Sequence, residues 1–543
     1  MNIKPLTSCA LIAALTVALM FRLDGIAFGL PALYDPDEPI FVLLSLKLLK
    51  NGTLNPGWFG HPGTTTIYTL ALLELAIGLS GQVTGKFADA AAFSRAIYTD
   101  PTVVFLPGRI LMLLFGMIVL VLTWHLARRL FGDRIGAITA LLIAVDPVLI
   151  RYSQIIRTDM QATIFLLLAM ISSVGICRRG TVRDYVIAGL WLGIGCATKW
   201  PVSAGLTAIL GSTVFRMARQ PGDRHSALRG LAASSISSVI GLAAASPFIF
   251  LDYQTVLENL AGEERPRHLG ATGHGIINNL FWFIAHPLQD ALSLAGLGAA
   301  LLGIVLGIRR SAEFGAIVVS TMAVFMLLIA AQALVWERWA VPLLPLLTIA
   351  GAVGIDGMAR AMRGRFGPWL ERSSLISLTA ILLVLTILTA RAQARERAHD
   401  TRGLAAAWAR KNIPVGSTVA VEYFAIDLAP MPWRFLYPGG DFGCFDGKAE
   451  LARQIDYSRV SSSRGAHPLV DQGSIPAARL GTCAADWAIL TTYDRYRAEP
   501  NLFPEEERGY ARFLRGSHLA AKFEPVPGKV GGPIVRIVQF SRH

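Results

Sequence analysis

The sequence predicts a polytopic α-helical membrane protein with a C-terminal extracytoplasmic α/β domain. Three observations support this fold class: the composition is unusually apolar, apolar segments alternate with arginine clusters, and a polar tail follows the last apolar segment. Of the 543 residues, 53% are hydrophobic and only 16% are charged, and the mean hydropathy is +0.50. Soluble proteins of ordinary surface composition are less apolar than this. We therefore expect most of the chain to lie in a bilayer.

The net charge of +13 raises the question of nucleic-acid binding. The excess arginines fall in short clusters after apolar runs, a pattern typical of cytoplasmic membrane loops. The sequence has no basic stripe with interleaved aromatic residues. The charge therefore indicates membrane topology and argues against a nucleic-acid partner.

The first apolar run, from Leu6 to Phe21, resembles either a signal peptide or a first transmembrane helix. No small-x-small cleavage site follows it, and the run resumes through Leu33. We expect an uncleaved span with a cytoplasmic N-terminus. Arg22 would then lie near the outer side and reach the membrane interface with its charged end.

Residues 64–81 are apolar except for Glu74, and the charge rule predicts their placement. The next span, 103–127, leads into Arg128 and Arg129, which should be cytoplasmic. If residues 64–81 also crossed, this cluster would lie outside. We therefore expect residues 64–81 to lie at the outer interface or to re-enter without crossing.

Further apolar segments alternate in direction, and every arginine cluster falls on one side. These segments are residues 135–150, 160–176, 186–198, 202–215, 231–250, 288–308, 316–335, 340–358 and 375–390. Together with the earlier spans they predict about 11 transmembrane helices of the inner membrane and additional juxtamembrane helices on the outer face. The same topology places three polar regions outside: about 29–101, 251–286 and the tail.

The chain is thus expected to form a membrane domain, residues 1–391, and an extracytoplasmic domain, residues 392–543. In the tail, 401–411 has helical spacing, whereas three β-rich runs suggest strands. These runs are residues 418–423, 487–492 and 534–540, and the Gly/Ser/Pro-rich stretch 437–482 is expected to be loop. If the tail is extracytoplasmic, Cys444 and Cys483 can form a disulfide.

The candidate site is organised around Tyr34-Asp35-Pro36-Asp37-Glu38-Pro39, which follows the first apolar segment. The predicted topology brings further charged residues to the same face: Arg151, Arg157, Asp159, Lys199, Glu337 and Arg338. Charges at membrane depth are costly and suggest function. Alternatively, these residues are interfacial and merely face water or pair with one another. Asp37 and Glu38 fit that alternative least well, because they are adjacent carboxylates on a short turn between prolines.

Carboxylates beside cations at a water–lipid boundary suit a reaction between a polar acceptor and a lipid-linked phosphate. A carboxylate can deprotonate an acceptor hydroxyl or amine, while Lys199 and arginines hold the phosphate. Because phosphate is already a good leaving group, one base, charge stabilisation and alignment suffice for an inverting single displacement.

Several short motifs occur in a characteristic order along the chain. They are Tyr-Asp-Pro-Asp37-Glu38, His61-Pro62-Gly63, Arg128-Arg129-Leu-Phe-Gly, Arg157-Thr-Asp159-Met, Ala-Thr198-Lys199-Trp and Glu337-Arg338-Trp-x-x-Pro342-Leu-Leu-Pro345. Over roughly residues 1–360, this order resembles the GT-C glycosyltransferases. The most similar branch is that of the polyprenyl-phosphate-sugar enzymes, the protein O-mannosyltransferases and the lipid A aminoarabinose transferases.

The resemblance implies that Asp37 is the catalytic carboxylate, with Glu38 beside it, and that Asp159 and Lys199 bind substrate, the lysine through phosphate. We also expect Arg157, Arg338 and His61 to bind substrate. The aminoarabinose branch has Lys-Pro-Pro where this chain has His61-Pro62-Gly63, so His61 either substitutes for that lysine or has only an interfacial role. Metal dependence differs within the family, and Asp37, Glu38 and Asp159 can hold a divalent cation.

The sequence therefore predicts a membrane glycosyltransferase that moves a sugar from a polyprenyl-phosphate donor to a lipid, glycan or protein acceptor on the outer face. A transporter or lipid flippase is one alternative, but it should show charges at mid-span and inverted internal repeats. The other alternative is a non-catalytic envelope assembly subunit that binds through the tail. The acidic residues lie at span ends and no repeat is visible, which favours the enzyme.

Overall fold

A computed structural model describes residues 5–263, 265–422, 426–428, 430–448 and 469–541. The chain divides into two compact units. The first, which we call the helical unit, comprises Met1–Ile26, Pro36–Arg265 and Gly273–Ala390. The second, which we call the tail unit, comprises Ala27–Asp35, Pro266–Thr272 and Arg391–His543.

Most of the chain before the tail is helical. In chain order the helices are α1 (Pro5–Leu23), α2 (Glu38–Asn51), α3 (Thr64–Val83), α4 (Ala90–Thr99), α5 (Thr102–Phe131), α6 (Asp133–Ala144), α7 (Pro147–Tyr152), α8 (Asp159–Arg178), α9 (Val182–Thr198), α10 (Leu206–Arg219), α11 (Arg224–Ala245), α12 (Phe248–Leu251), α13 (Tyr253–Glu263), α14 (Ile276–Phe283), α15 (Gln289–Arg310), α16 (Ala312–Phe314), α17 (Ser320–Ala330), α18 (Leu344–Phe366) and α19 (Pro368–Ala398). Short 3₁₀ turns cover Trp200–Gly205, Pro221–Asp223 and Glu337–Leu343, and π-helical turns cover Ile284–Leu288 and Gly315–Val319.

Among the described residues, eight helical stretches are long and apolar enough to cross a membrane, judged by length and composition. They are Thr64–Val83, Thr102–Phe131, Asp159–Arg178, Pro221–Ala245, Ile276–Arg310, Ala312–Ala330, Glu337–Arg363 and Pro368–Ala398. The predicted polytopic helical fold is thus confirmed, whereas the number of spans stays a prediction. So does the interfacial placement of residues 64–81, since α3 is itself long enough to cross.

Some predicted segments are interrupted because polar residues or prolines end a helix early. The stretch 135–150 is divided between α6 and α7. Asp146 caps α7 by accepting from the backbone N–H groups of Val148 and Leu149, both at 2.9 Å, and Pro147 occupies the first turn, where a missing N–H costs nothing. The break produces a short helix that leads into the loop carrying Arg157.

The core of the helical unit is built from α8 and α18. In the most apolar 18 residues of Asp159–Arg178 and of Glu337–Arg363, 78% and 83% of the residues are buried. Close approach of backbones holds α18 to α15. A Cβ on Gly303 would lie 1.7 Å from the carbonyl oxygen of Ala350, and one on Gly354 would lie 1.9 Å from that of Ala299. Contact between small residues is how helices associate in a bilayer, where apolar burial alone supplies little drive.

Arg22 does not extend its charged end to the protein surface, so the expectation that it does is wrong. The residue is 1% exposed, and its guanidinium donates to the carbonyl oxygen of Ala144 at 2.9 Å and to Ser153 Oγ at 3.3 Å. These acceptors belong to the break around α7, where carbonyl groups are not all used by helices. Because this polar break is within the reach of the side chain, the guanidinium is satisfied inside the protein.

The tail unit contains one mixed sheet with helices, which confirms the predicted α/β domain. Its helices are α20 (Thr401–Asn412), α21 (Tyr493–Ala498) and α22 (Pro504–Phe513), and its strands are β1 (Thr418–Val421), β2 (Arg434–Pro438), β3 (Cys444–Asp446), β4 (Trp487–Leu490), β5 (Ser517–Phe523) and β6 (Val535–Phe540). The strand order is β3-β2-β1-β4-β6-β5, with β1 parallel to β2 and β4 and the other pairs antiparallel.

The predicted helix and three predicted strands are present as α20, β1, β4 and β6. The sequence reasoning missed β2, β3 and β5. The loop predicted for 437–482 is wrong at β3, which pairs with β2, and residues 449–468 lie outside the described residues. Cys444 and Cys483 are joined by a disulfide, which confirms that predicted pair.

Candidate active site

Asp37 stands immediately before α2, between Pro36 and Pro39. Its side chain makes no capping hydrogen bond to the helix, although aspartate is a favoured capping residue. The carboxylate instead turns towards two arginines of the helical unit, and its side chain is 24% exposed. The position thus combines contact with solvent and contact with charged partners.

Both arginines donate to the same oxygen of Asp37. Arg157 reaches Oδ2 from the loop before α8, and Arg338 reaches it through Nη1 at 2.7 Å from the 3₁₀ turn Glu337–Leu343. Burial acts to raise the pKa of the Asp37 carboxyl, but the charges of Arg157 and Arg338 outweigh it and hold the pKa below its ordinary value. Asp37 is therefore a carboxylate at physiological pH.

Glu38 lies in a different environment from its neighbour. It accepts from Arg109 Nε at 2.8 Å and Nη2 at 2.7 Å, and also from the backbone N–H of Ile156 at 3.0 Å. The side chains of Glu38 and Arg109 are both 0% exposed. This bidentate pair ties the start of α2 to α5 and to the loop before Arg157. The geometry therefore indicates that Glu38 positions the acid loop.

A second ion pair joins Asp159 and Lys199. Nζ of Lys199 donates to Oδ1 of Asp159, and the two side chains are 7% and 2% exposed. Asp159 begins α8 and Lys199 follows the last residue of α9, so each charge is favoured by the dipole of its helix end. The charges of Arg338 and Arg157 act on Lys199, so the lysine lies near the arginines that hold Asp37.

The turn His61-Pro62-Gly63 packs against the end of α9. The backbone N–H of Gly63 donates to the carbonyl oxygen of Thr198 at 3.1 Å. Gly63 has a φ of +67°, and a Cβ there would lie 3.1 Å from the Phe41 ring, so the turn requires glycine. The ring of His61 lies 4.6 Å from that of Trp58, edge to face.

His61 is close enough to the charged cluster for its titration to be affected. Burial, followed by the charges of Lys199 and Arg338, lowers the pKa of His61 to about 3. The imidazole is therefore neutral at physiological pH, and it can form a hydrogen bond with substrate but cannot neutralise a phosphate. A neutral imidazole does not match the charge of the lysine, and the substrate-binding role expected of His61 stays a prediction.

A third pair closes the cluster: Nη1 of Arg151 donates to Oε2 of Glu337 at 2.6 Å. Among the described residues, the cluster thus contains four cations and three carboxylates. The cations are Arg151, Arg157, Lys199 and Arg338, and the carboxylates are Asp37, Asp159 and Glu337. The cluster's guanidinium and ammonium groups are suited to binding a phosphate-bearing ligand.

Within the described part of the chain, no group of three His, Cys, Asp or Glu side chains is arranged to hold a metal ion. The metal-binding grouping suggested from the sequence, Asp37 with Glu38 and Asp159, does not form. Each of these carboxylates is directed towards a different cation: Arg157 and Arg338, Arg109, and Lys199, respectively.

The structure thus brings together Asp37, His61, Arg157, Asp159, Lys199 and Arg338, and it places Glu38 in a neighbouring buried pair. Arg109 was missed by the sequence reasoning. Its signal was available, because it is an arginine inside the apolar run 103–127, and a charge at that depth requires a partner. Which partner it has could not be read from the pattern.

Comparison with known proteins gives one family match. Residues 92–250 match a family described as dolichyl-phosphate-mannose-protein mannosyltransferase. This region is less than a third of the chain and includes Arg157, Asp159 and Lys199, but neither Asp37 nor Arg338. No curated protein matches the sequence significantly.

Two solved proteins share the fold at low sequence identity. The apo oligosaccharyltransferase of Archaeoglobus fulgidus has a TM-score of 0.53 at 11% identity, covering 94% of this chain and 73% of that one. ArnT from Cupriavidus metallidurans has a TM-score of 0.52 in the apo state, at 14% identity and with 97% of each chain covered. Its complex with undecaprenyl phosphate has a TM-score of 0.51.

These likenesses show that the chain has the GT-C fold. The matched family and both similar proteins are glycosyltransferases of the GT-C type. The fold class predicted from the sequence is therefore confirmed, and the match over residues 92–250 agrees with the predicted resemblance and enzyme class.

Proposed function

We propose that this protein transfers a sugar, with inversion, from a polyprenyl-phosphate donor to an acceptor at the outer face of the inner membrane, with Asp37 as the base. The observation that carries the proposal is the arrangement of Asp37. It is a partly exposed carboxylate held by Arg157 and Arg338, beside a buried Lys199–Asp159 pair. A base and a phosphate-binding group of cations are thus in one place.

The donor phosphate competes with Asp37 for the two arginines. Guanidinium groups bind phosphate in the same geometry in which they bind carboxylates. When the phosphate engages Arg157 and Arg338, Asp37 loses the positive charges that depress its pKa and becomes a stronger base. Binding of the donor thereby activates the base, which in the free enzyme is restrained by the same arginines.

The chemical step is a single displacement at the anomeric carbon. The acceptor hydroxyl or amine gives its proton to Asp37 while its oxygen or nitrogen forms the new bond to that carbon. The bond to the phosphate oxygen breaks, and its electron pair leaves with the polyprenyl phosphate. Arg157, Arg338 and Lys199 stabilise the charge that develops on the phosphate. No general acid is needed, because phosphate departs as an anion.

Glu38 is assigned a positioning role. Its two oxygens are occupied by Arg109 and Ile156, and no solvent reaches it. Our proposal therefore narrows the catalytic pair expected from the sequence to Asp37. The neutral His61 is assigned a hydrogen bond to a hydroxyl of the sugar or acceptor, since its low pKa keeps it uncharged.

Donor and location are supported by different observations. ArnT, which shares the fold, binds undecaprenyl phosphate, and this supports a polyprenyl-phosphate donor here, whereas the acceptor stays open among lipid, glycan and protein. The disulfide Cys444–Cys483 favours an oxidising compartment for the domain of residues 392–543. In residues 1–391, the arginine clusters favour a cytoplasmic position for the helix ends that carry them.

The test uses purified full-length protein, a panel of polyprenyl-phosphate monosaccharides as donors and envelope lipid, glycan and protein fractions as acceptors, with release of polyprenyl phosphate as readout. Asp37→Asn should reduce turnover by about 10²- to 10⁴-fold and should leave the affinity for donor unchanged or higher, because a carboxylate that competes with the phosphate is lost. Near-normal turnover of this variant would overturn the assignment of the base.

A further inference from the structure

The helical unit carries a second charged cluster, on different helix ends from the candidate active site. Asp356 in α18 is paired with three arginines: Arg134 Nε at 2.9 Å, Arg310 Nη1 at 2.8 Å and Arg360 Nε at 2.8 Å. Its side chain is 0% exposed. One buried carboxylate thus gathers guanidinium groups from α6, α15 and α18.

Glu371 in α19 extends this cluster. It lies 2.5 Å from Arg134 Nη1 and 3.5 Å from Arg363 Nη1, and its side chain is 8% exposed. We call Arg134, Arg310, Arg360, Arg363, Asp356 and Glu371 the arginine cage. It has four positive charges and two negative ones. The carboxylates are buried, whereas the side chains of Arg360 and Arg363 are 54% and 67% exposed.

The unbalanced charge is therefore directed outwards. Two buried anions fix the positions of the guanidinium groups and leave a surplus of two positive charges at the surface. An arrangement of this kind is suited to an anionic group with several acceptor oxygens, such as a phosphate diester.

The surroundings identify the source of that phosphate. α19 begins beside the cage and exposes an apolar stripe in which Trp369, Ile376, Val384 and Leu388 are 76%, 68%, 55% and 60% exposed. A tryptophan at the start of such a helix is typical of the membrane interface. Acyl chains can lie along this stripe while the headgroup reaches the arginines.

We propose that the arginine cage is a binding site for an anionic phospholipid, such as phosphatidylglycerol, at the end of the helical unit where α18 ends and α19 begins. Basic pockets between membrane helices bind anionic headgroups in this way. The phosphodiester occupies the outer guanidinium groups of Arg360 and Arg363, and the acyl chains follow the α19 stripe. This site is independent of the sugar-transfer proposal.

The test compares variants that remove equal charge. Arg360→Gln with Arg363→Gln removes the outer side of the cage, whereas Arg224→Gln with Arg229→Gln removes two exposed arginines near the start of α11, on the same predicted membrane side. Purified full-length protein in neutral detergent is titrated with phosphatidylglycerol, phosphatidylcholine or inorganic phosphate. Bound lipid is counted by native mass spectrometry, and the apparent melting temperature is recorded in parallel.

We expect phosphatidylglycerol to bind and stabilise the unmodified protein and the α11 variant, with about 30-fold weaker binding to the cage variant. Equal binding to all three proteins would overturn the proposal, as would equal binding of phosphatidylcholine. Stabilisation by inorganic phosphate alone would identify an ion site and would also overturn it. If the cage variant does not fold, Arg363→Gln alone replaces it, because this change leaves Asp356 and its three arginines intact, and phosphatidylglycerol binding equal to that of the unmodified protein would then overturn the proposal.

Discussion

Replacing Glu38 with glutamine should destabilise the helical unit more than replacing Asp37 with asparagine. Glu38 and Arg109 are both 0% exposed, and the carboxylate accepts three hydrogen bonds at 2.8, 2.7 and 3.0 Å. Glutamine keeps the shape but removes the charge, so the Arg109 guanidinium stays buried without its counter-ion. The perturbation thus tests whether Glu38 is structural.

The magnitude follows from the burial of the pair. Removing one partner of a buried ion pair costs about 3–5 kcal/mol, and glutamine should fall at the lower end, about 3 kcal/mol, because its amide oxygen still accepts a hydrogen bond. At about 2 °C per kcal/mol for a large cooperative unit, the apparent melting temperature should fall by about 6 °C. Asp37 is 24% exposed, so its loss should cost less than that of Glu38 but more than that of an exposed ion pair, about 1–2 kcal/mol.

The assay is thermal unfolding of the purified variants in one detergent, with sugar-transfer activity measured below the transition. The double variant Glu38→Leu with Arg109→Met removes both charges and should recover much of the lost stability. If Glu38→Gln melts with the unmodified protein yet loses as much turnover as Asp37→Asn, the reasoning is refuted and Glu38 is a functional carboxylate.

Three further outcomes are expected. Lys199→Gln should raise the KM for the donor by about 10- to 100-fold, with a smaller effect on kcat, because a charge-assisted contact to phosphate contributes about 1.5–3 kcal/mol. A KM equal to that of the unmodified protein would exclude this contact. The acid limb of the kcat/KM profile should lie below the ordinary carboxyl pKa of about 4, because the pKa of Asp37 is lowered and the base is lost only as pH falls through that pKa. Arg338→Gln removes one of the charges that lower this pKa and should move the limb to higher pH. A limb that does not move would show that another group titrates. In the tail unit, burial and then the charge of Glu422 raise the pKa of Asp471 to about 8. The contribution of the protonated carboxyl to stability is therefore present at low pH and is lost as pH rises from about 4 towards 8. Limited proteolysis of the full chain should become faster over this pH range, and Asp471→Asn should remove that pH dependence.

Local sequence properties were sufficient for the class of protein and for much of its layout. Hydropathy and arginine clusters predicted a polytopic helical membrane protein, and β-rich runs predicted β1, β4 and β6. These signals are local, because a membrane helix must be apolar along its own length and a buried strand must be apolar along its own few residues. The acid loop was found for a similar reason, because two adjacent carboxylates on a short turn between prolines are themselves a local signal.

The partners of the charged residues could not be predicted in the same way. Asp37 and Glu38 are adjacent and chemically alike, yet one contacts Arg157 and Arg338 at a partly exposed site and the other is enclosed with Arg109. Successive side chains at a helix start point about 100° apart, so these two adjacent carboxylates face different neighbouring segments.

Arg22 illustrates the same limit. Its sequence context, an arginine near the end of an apolar run, predicts an exposed charge at the interface, but the break before α7 supplies carbonyl and hydroxyl oxygens within the protein. Asp37 and Arg338, likewise, are separated by 301 residues and meet only because the helices between them pack together. Hydropathy and periodicity describe each segment alone, whereas the pairing of buried charges depends on which distant segments become neighbours.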